Sequence, residues 1–149
     1  MPVSGFIPPA LLNAFMEYKI NKFLKLKIPW LVNDAINYLN SLDLSSHKIF
    51  EWGSGGSTLF WVKKGASVIS IEHDSEWYKK LKNIIPPTVD YRLIEPESID
   101  YTNPDNFSSK GIGCKNFRAY VCVIDEFPKN YFDVILVDGR ARPSCLKYG

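Results

Sequence analysis

The stretch Phe50-Glu51-Trp52-Gly53-Ser54-Gly55-Gly56-Ser57-Thr58 gathers glycines, hydroxyls and one acid into nine consecutive residues. Glycine lets a turn take dihedrals closed to other residues and lets a ligand approach bare backbone. If a helix follows, its first N–H groups point at the same place and suit a polar or anionic group. A second acid, Glu72, stands 19 residues beyond Gly53. At that separation a carboxylate can accept hydrogen bonds from both hydroxyls of a ribose. The chemistry on offer is the binding of a nucleoside-like ligand, with Gly53, Ser54, Gly55 and Ser57 near its polar end and Glu72 at its sugar.

Two ligand classes use such a turn. A dinucleotide sets its pyrophosphate on G-x-G-x-x-G, whose third glycine permits close helix packing. Here Gly53-x-Gly55-x-x-Thr58 lacks that glycine. Glu51, placed just before the turn, would be unfavourable beside a pyrophosphate and favourable beside a cationic amino-acid moiety. Each residue also has a plainer reading: Glu72 as a strand-end acid or helix cap, His73 as a packing histidine, Asp138 as a turn acid, Arg140 and Arg142 as solvated charges. Trp52, Trp61 and Trp77 read first as core, and Trp77 could also serve as a stacking platform.

The elements that must position these residues follow from periodicity. Leu12, Phe15, Met16, Ile20, Phe23 and Leu24 recur at helical spacing over 10–27, with Lys19, Lys22 and Lys25 between them, until Pro29 stops the helix. A second helix fits 30–42. Lys48 to Trp52 reads as a strand running into the glycines, and 59–64 as a short helix closed by Gly65 in a left-handed cap. Ser67 to Glu72 reads as a strand, and Asp74 or Ser75 caps a helix whose Trp77, Leu81, Ile84 and Ile85 face inward. Residues 89–94 read as a third strand, 95–115 as a long polar loop and 117–127 as a helix. Phe132 to Asp138 is a run apolar enough to be a strand buried on both faces. Strands alternating with helices imply right-handed crossovers and a mostly parallel sheet. Ligands in such sheets bind beyond the carboxyl ends of the strands, where Glu51 to Ser57, Glu72 and Asp138 all fall.

The glycine stretch resembles motif I of the class I S-adenosylmethionine-dependent methyltransferases, a strand ending in acid-x-Gly-x-Gly. Val68-Ile69-Ser70-Ile71-Glu72-His73-Asp74, followed by Glu76-Trp77-Tyr78, is similar to that family's second strand and ribose-binding acid. Phe132-Asp133-Val134-Ile135-Leu136-Val137-Asp138-Gly139-Arg140 is similar to its fourth strand, so the likeness spans about residues 30–149. It implies a Rossmann-like α/β fold: an open, mostly parallel sheet in the order 3-2-1-4, truncated from the family's seven strands, with helices on both faces. The organisation expected is one domain over 1–149, with N-terminal helices in 1–44 and the cofactor-binding half-fold in 45–149.

The resemblance further implies S-adenosyl-L-methionine as cofactor and methyl transfer to a small molecule, a sugar or a protein side chain. Carried over residue by residue, Glu51, Gly53 and Gly55 line the methionine end, Glu72 holds the ribose, His73 borders the adenine and Glu95 accepts from the adenine amino group. Asp138 lies near the methionine moiety or the incoming nucleophile. Asp138 first, and His73 second, are the candidate general bases. Counterparts of the fifth to seventh strands are missing, which leads to the expectation of a fragment of a longer protein, or of self-association through an exposed edge at 132–138. Two other functions remain open: a non-catalytic nucleotide-binding or interaction module, and, disfavoured by Thr58 and Glu51, an NAD-dependent oxidoreductase.

Composition bounds the rest. The 149 residues are 46% hydrophobic and 23% charged with a net charge of +2, the profile of an ordinary globular domain. That charge offers no footprint for nucleic acid, and the apolar runs are too short for a bilayer. Cys114, Cys122 and Cys145 form no CxxC pair, and His47 and His73 are the only histidines. Neither a disulfide framework nor a zinc site is expected, and a reducing cytoplasm is the simplest location.

Overall fold

The protein is described by a computed structural model covering residues 24–99, 107–109, 112–113 and 115–149, together with 14, 17, 18, 21 and 22. Where described, positions of the expected first helix are helical up to residue 26, and Lys22 and Lys25 are exposed. Lys19 and most of that helix's apolar stripe lie outside the described residues. The elements that follow are α1 (Asn33–Ser41), β1 (Lys48–Trp52), α2 (Gly56–Lys63), β2 (Ser67–Glu72), α3 (Ser75–Lys82), β3 (Asp90–Leu93), β4 (Glu97–Ser98), β5 (Lys115–Asn116), α4 (Arg118–Cys122), a 3-10 turn (Val123–Glu126), β6 (Val134–Val137) and α5 (Arg142–Tyr148).

The sheet is parallel throughout, in the order β3-β2-β1-β6. This is the expected 3-2-1-4, because β4 and β5 pair only with each other as a small antiparallel ribbon inside the segment read as loop. Two apolar layers cover its faces. On one, Ile49 and Val68 pack with Leu59, Phe60 and Trp61 of α2, Leu81 of α3 and Leu24. On the other, Phe50, Trp52 and Ile71 pack with Phe117, Tyr120 and Val121 around α4 and with Cys145 of α5. The alternation of β1, with Ile49 to one layer and Phe50 and Trp52 to the other, is the two-residue period of a strand buried on both sides. The chain is a Rossmann-like α/β protein.

Several expectations are corrected. The helix expected over 30–42 runs Asn33–Ser41, because Val32 is still extended and the helix begins there with no side-chain cap. The next helix starts at Gly56 rather than Leu59, since Thr58 Oγ1 accepts from Gly55 N (3.0 Å) and closes the first turn at once. Ile84 is exposed at 45%, because α3 ends at Lys82 and the helical period no longer sets its direction. The 132–138 strand shortens to Val134–Val137. It pairs only with β1 among the described residues and leaves Ile135 at 37% exposure, so it is an edge and not a strand buried on both faces. Other details hold as read: Gly65 is left-handed at φ +80°, and Asp74 caps α3 by accepting from Trp77 N at 2.8 Å.

Candidate functional site

The β1–α2 turn leaves the sheet at Gly53, and its geometry is dictated by what it touches. Gly53 has φ +96°, and a Cβ there would lie 2.8 Å from Asp138 C and Gly139 N. The residue after β1 is thus pressed against the residue after β6, and only glycine fits. Gly55 is different. Its backbone is extended, and a Cβ would meet nothing within 4 Å. The first glycine serves packing, whereas the second leaves open space.

That space belongs to a cavity of about 550 Å³ at the carboxyl ends of β1, β2 and β6, within the size range of small-ligand sites. Of the residues singled out from the sequence, it brings together Gly53, Ser54, Gly55, Ser57, Glu72, His73 and Asp138. Trp77 of α3, Arg140 and Arg142 complete the inner wall, while Leu24, Ile28 and Trp30 close it from the N-terminal side.

Glu72 is the most tightly built of these. It is 2% exposed, and its carboxylate accepts from Ser54 N (3.2 Å), Ser54 Oγ (2.6 Å), His73 N (2.8 Å) and Asp74 N (2.9 Å). Burial pushes its pKa up, but the His73 imidazole beside it, the Ser54 hydroxyl and the two backbone N–H groups outweigh burial and hold it below the ordinary carboxylate range. An ionised group is therefore presented at the end of β2. His73 packs its ring against Phe117 and Tyr120, at centroid distances of 5.8 and 5.6 Å. Its Nδ1 lies 3.0 Å from Glu72 Oε1 but is poorly aligned for a hydrogen bond. Asp138 is exposed, and its Oδ1 accepts from Arg142 at 2.8 Å, while Oδ2 has no partner among the described residues. Cys145 is fully buried, and burial pushes its thiol up to about 12, which disfavours the reactive thiolate.

Two expected site residues are elsewhere. Glu51 is fully buried and does not reach the cavity. The β1–β2 register sets Glu51 opposite Ser70. The Ser70 hydroxyl donates to its Oε1 (2.8 Å), as does Thr58, and Trp61 Nε1 donates to Oε2 (3.2 Å). Burial raises it to about 7 against these donors. Glu51 thus ties the underside of α2 to the sheet. Its withdrawal removes the electrostatic ground for disfavouring a pyrophosphate, and Thr58 in place of a third glycine remains. Glu95 is exposed, outside the cavity.

Sequence reading missed Tyr91, whose hydroxyl lies 2.9 Å from Ser54 Oγ, while Trp77, read as core or platform, donates its indole N–H to Ser54 O at 2.9 Å. The two-residue period of β3 offered a signal for Tyr91; none existed for the wall from residues 24–30. Among the described residues no cluster of metal-ligating side chains occurs, and no helix is long and apolar enough to cross a membrane.

Fold and cavity define the class: a Rossmann-like sheet with a built, acid-bearing pocket at its switch point. Comparison with protein-family models, with curated proteins and with solved structures found no match to this chain.

Proposed function

We propose that the chain binds S-adenosylmethionine in this cavity and transfers its methyl group to a small-molecule or sugar acceptor. The observation that carries the reading is Glu72: a buried carboxylate kept ionised at the end of the second strand, facing a glycine turn whose Gly55 leaves its Cβ position open. That pairing suits a ribose against the acid and an amino-acid tail along bare backbone. The residues present fit the cofactor at those two points. Glu51, sequestered beneath α2, supplies support rather than contact.

When bound, the cofactor supplies an activated methyl on a sulfonium. The chain's own task is then to hold an acceptor in line, and orientation of this kind contributes on the order of 7–11 kcal/mol at best. Asp138 and Arg142 line the cavity on the β6 side of the turn, with Glu72 on the β2 side, and the acceptor would lie against them. Asp138 Oδ2 would take the proton of a hydroxyl or amine, with Arg142 holding the other oxygen. His73, packed against Phe117 and Tyr120 beside Glu72, is suited to border the base.

Calorimetry with S-adenosylhomocysteine and with NAD tests the reading. The intact protein should bind the first and not the second. Gly55→Val puts a side chain into open space in the cavity, so the variant should stay folded while affinity falls at least tenfold. Preference for NAD would establish the oxidoreductase instead. Binding of S-adenosylhomocysteine without turnover on any acceptor would favour a binding module.

A further inference from the structure

Glu72 has no acceptor position to spare. Its Oε1 takes the backbone N–H groups of His73 and Asp74, and its Oε2 takes the backbone N–H and the hydroxyl of Ser54. An ionised carboxylate offers about four lone-pair sites, so an incoming sugar meets a group already filled. Three of the four donors are main chain, fixed by the end of β2, the start of α3 and the glycine turn. The fourth, Ser54 Oγ, turns about a single bond.

Ser54 is also the one donor with somewhere else to go. Tyr91 OH lies 2.9 Å from its hydroxyl, and the Tyr91 ring is stacked on Tyr78 at 4.6 Å. The Ser54 carbonyl is held by Trp77 Nε1, so the side chain can rotate while the turn stays in place. A hydroxyl leaving Glu72 therefore keeps a partner, which removes the cost of an orphaned polar group in a half-buried site.

We infer that Ser54 is a specificity-determining residue that competes with the ligand for Glu72: a vicinal diol displaces the Ser54 hydroxyl from Oε2, and Tyr91 retains it. This rests on the cofactor reading above. A sugar bearing the diol takes the one position on Oε2 that Ser54 vacates, exchanging one bond for another. A sugar lacking them leaves Ser54 in place and gains nothing from Glu72. The serine thus raises the threshold that a ligand must pass and makes the diol the means of passing it.

The test compares the intact protein with Ser54→Ala and Ser54→Cys, the thiol being a weak donor of similar size. Titrations use S-adenosylhomocysteine, adenosine and 2′,3′-dideoxyadenosine. Both variants should bind the two diol ligands more tightly, by about tenfold, the scale of one hydrogen bond to a charged group. Dideoxyadenosine should bind the variants and the parent alike. Unchanged or weaker binding of the diol ligands by folded variants overturns the inference and leaves the cofactor reading standing, as does equal tightening for dideoxyadenosine. No binding of any of the three by any form overturns both.

Discussion

Gly53 and Gly55 stand two positions apart and answer to different constraints. Gly53→Ala would force a Cβ to 2.8 Å from the backbone of residues 138 and 139 at a φ of +96°. Strain of that kind costs on the order of 1–3 kcal/mol, and the contact adds to it. Urea denaturation should show Gly53→Ala destabilised by about that much or more, and an unchanged midpoint would mean the turn relaxes freely. Much of this site was legible before any coordinates. A glycine turn, an acid at the end of the following strand, the histidine after it and an acid after the last strand are all chain-local features, and topology brings strand ends together. Glu51 was legible as an acid but not as a buried one, because its direction depends on Ser70 across the sheet and on Thr58 and Trp61 one helix away. Glu95 lies outside the cavity because a residue just past β3 can turn toward it or away from it, and nothing nearby in the sequence decides which.

At the level of elements, β1 and β2 have the bounds that period and punctuation gave them, since a run such as Ser67 to Glu72 between Gly65 and Asp74 has few alternatives. Helix starts were harder. The first turn of α2 is closed by a threonine side chain, and α1 begins at Asn33 with no side-chain cap to mark the start. The β4–β5 ribbon joins residues far apart within a polar segment, a pairing that composition does not encode. β6 carries its own expectation. Val134–Val137 presents unpaired edge groups and an exposed Ile135 among the described residues, and such edges invite a further strand. In sedimentation over rising concentration, the chain should self-associate, and Ile135→Lys should reduce the effect by charging the edge. Identical monomeric profiles for both would remove β6 as the contact.

Across the whole molecule, Glu51 links stability to pH. Its carboxyl is near 4.5 when unfolded and about 7 when buried. Between those values the folded chain keeps a proton that the unfolded chain has released, so this group makes stability fall as pH rises through the window and level off above it. Glu51→Gln lacks that slope. Denaturation midpoints measured from pH 5 to 8 should therefore drift in favour of the glutamine variant, and parallel curves would show that Glu51 titrates normally. The four tryptophans divide by location in a way that matters at the bench. Trp52 and Trp61 are sealed in the two core layers at 0% and 1% exposure, whereas Trp30 and Trp77 line the cavity, Trp77 through an indole bonded to the glycine turn. The buried pair supplies a constant emission, and the cavity pair is placed to respond to an occupant. Intrinsic fluorescence should shift on adding S-adenosylhomocysteine and lose most of that response in Trp77→Phe, so the protein carries its own unlabelled optical sensor of occupancy.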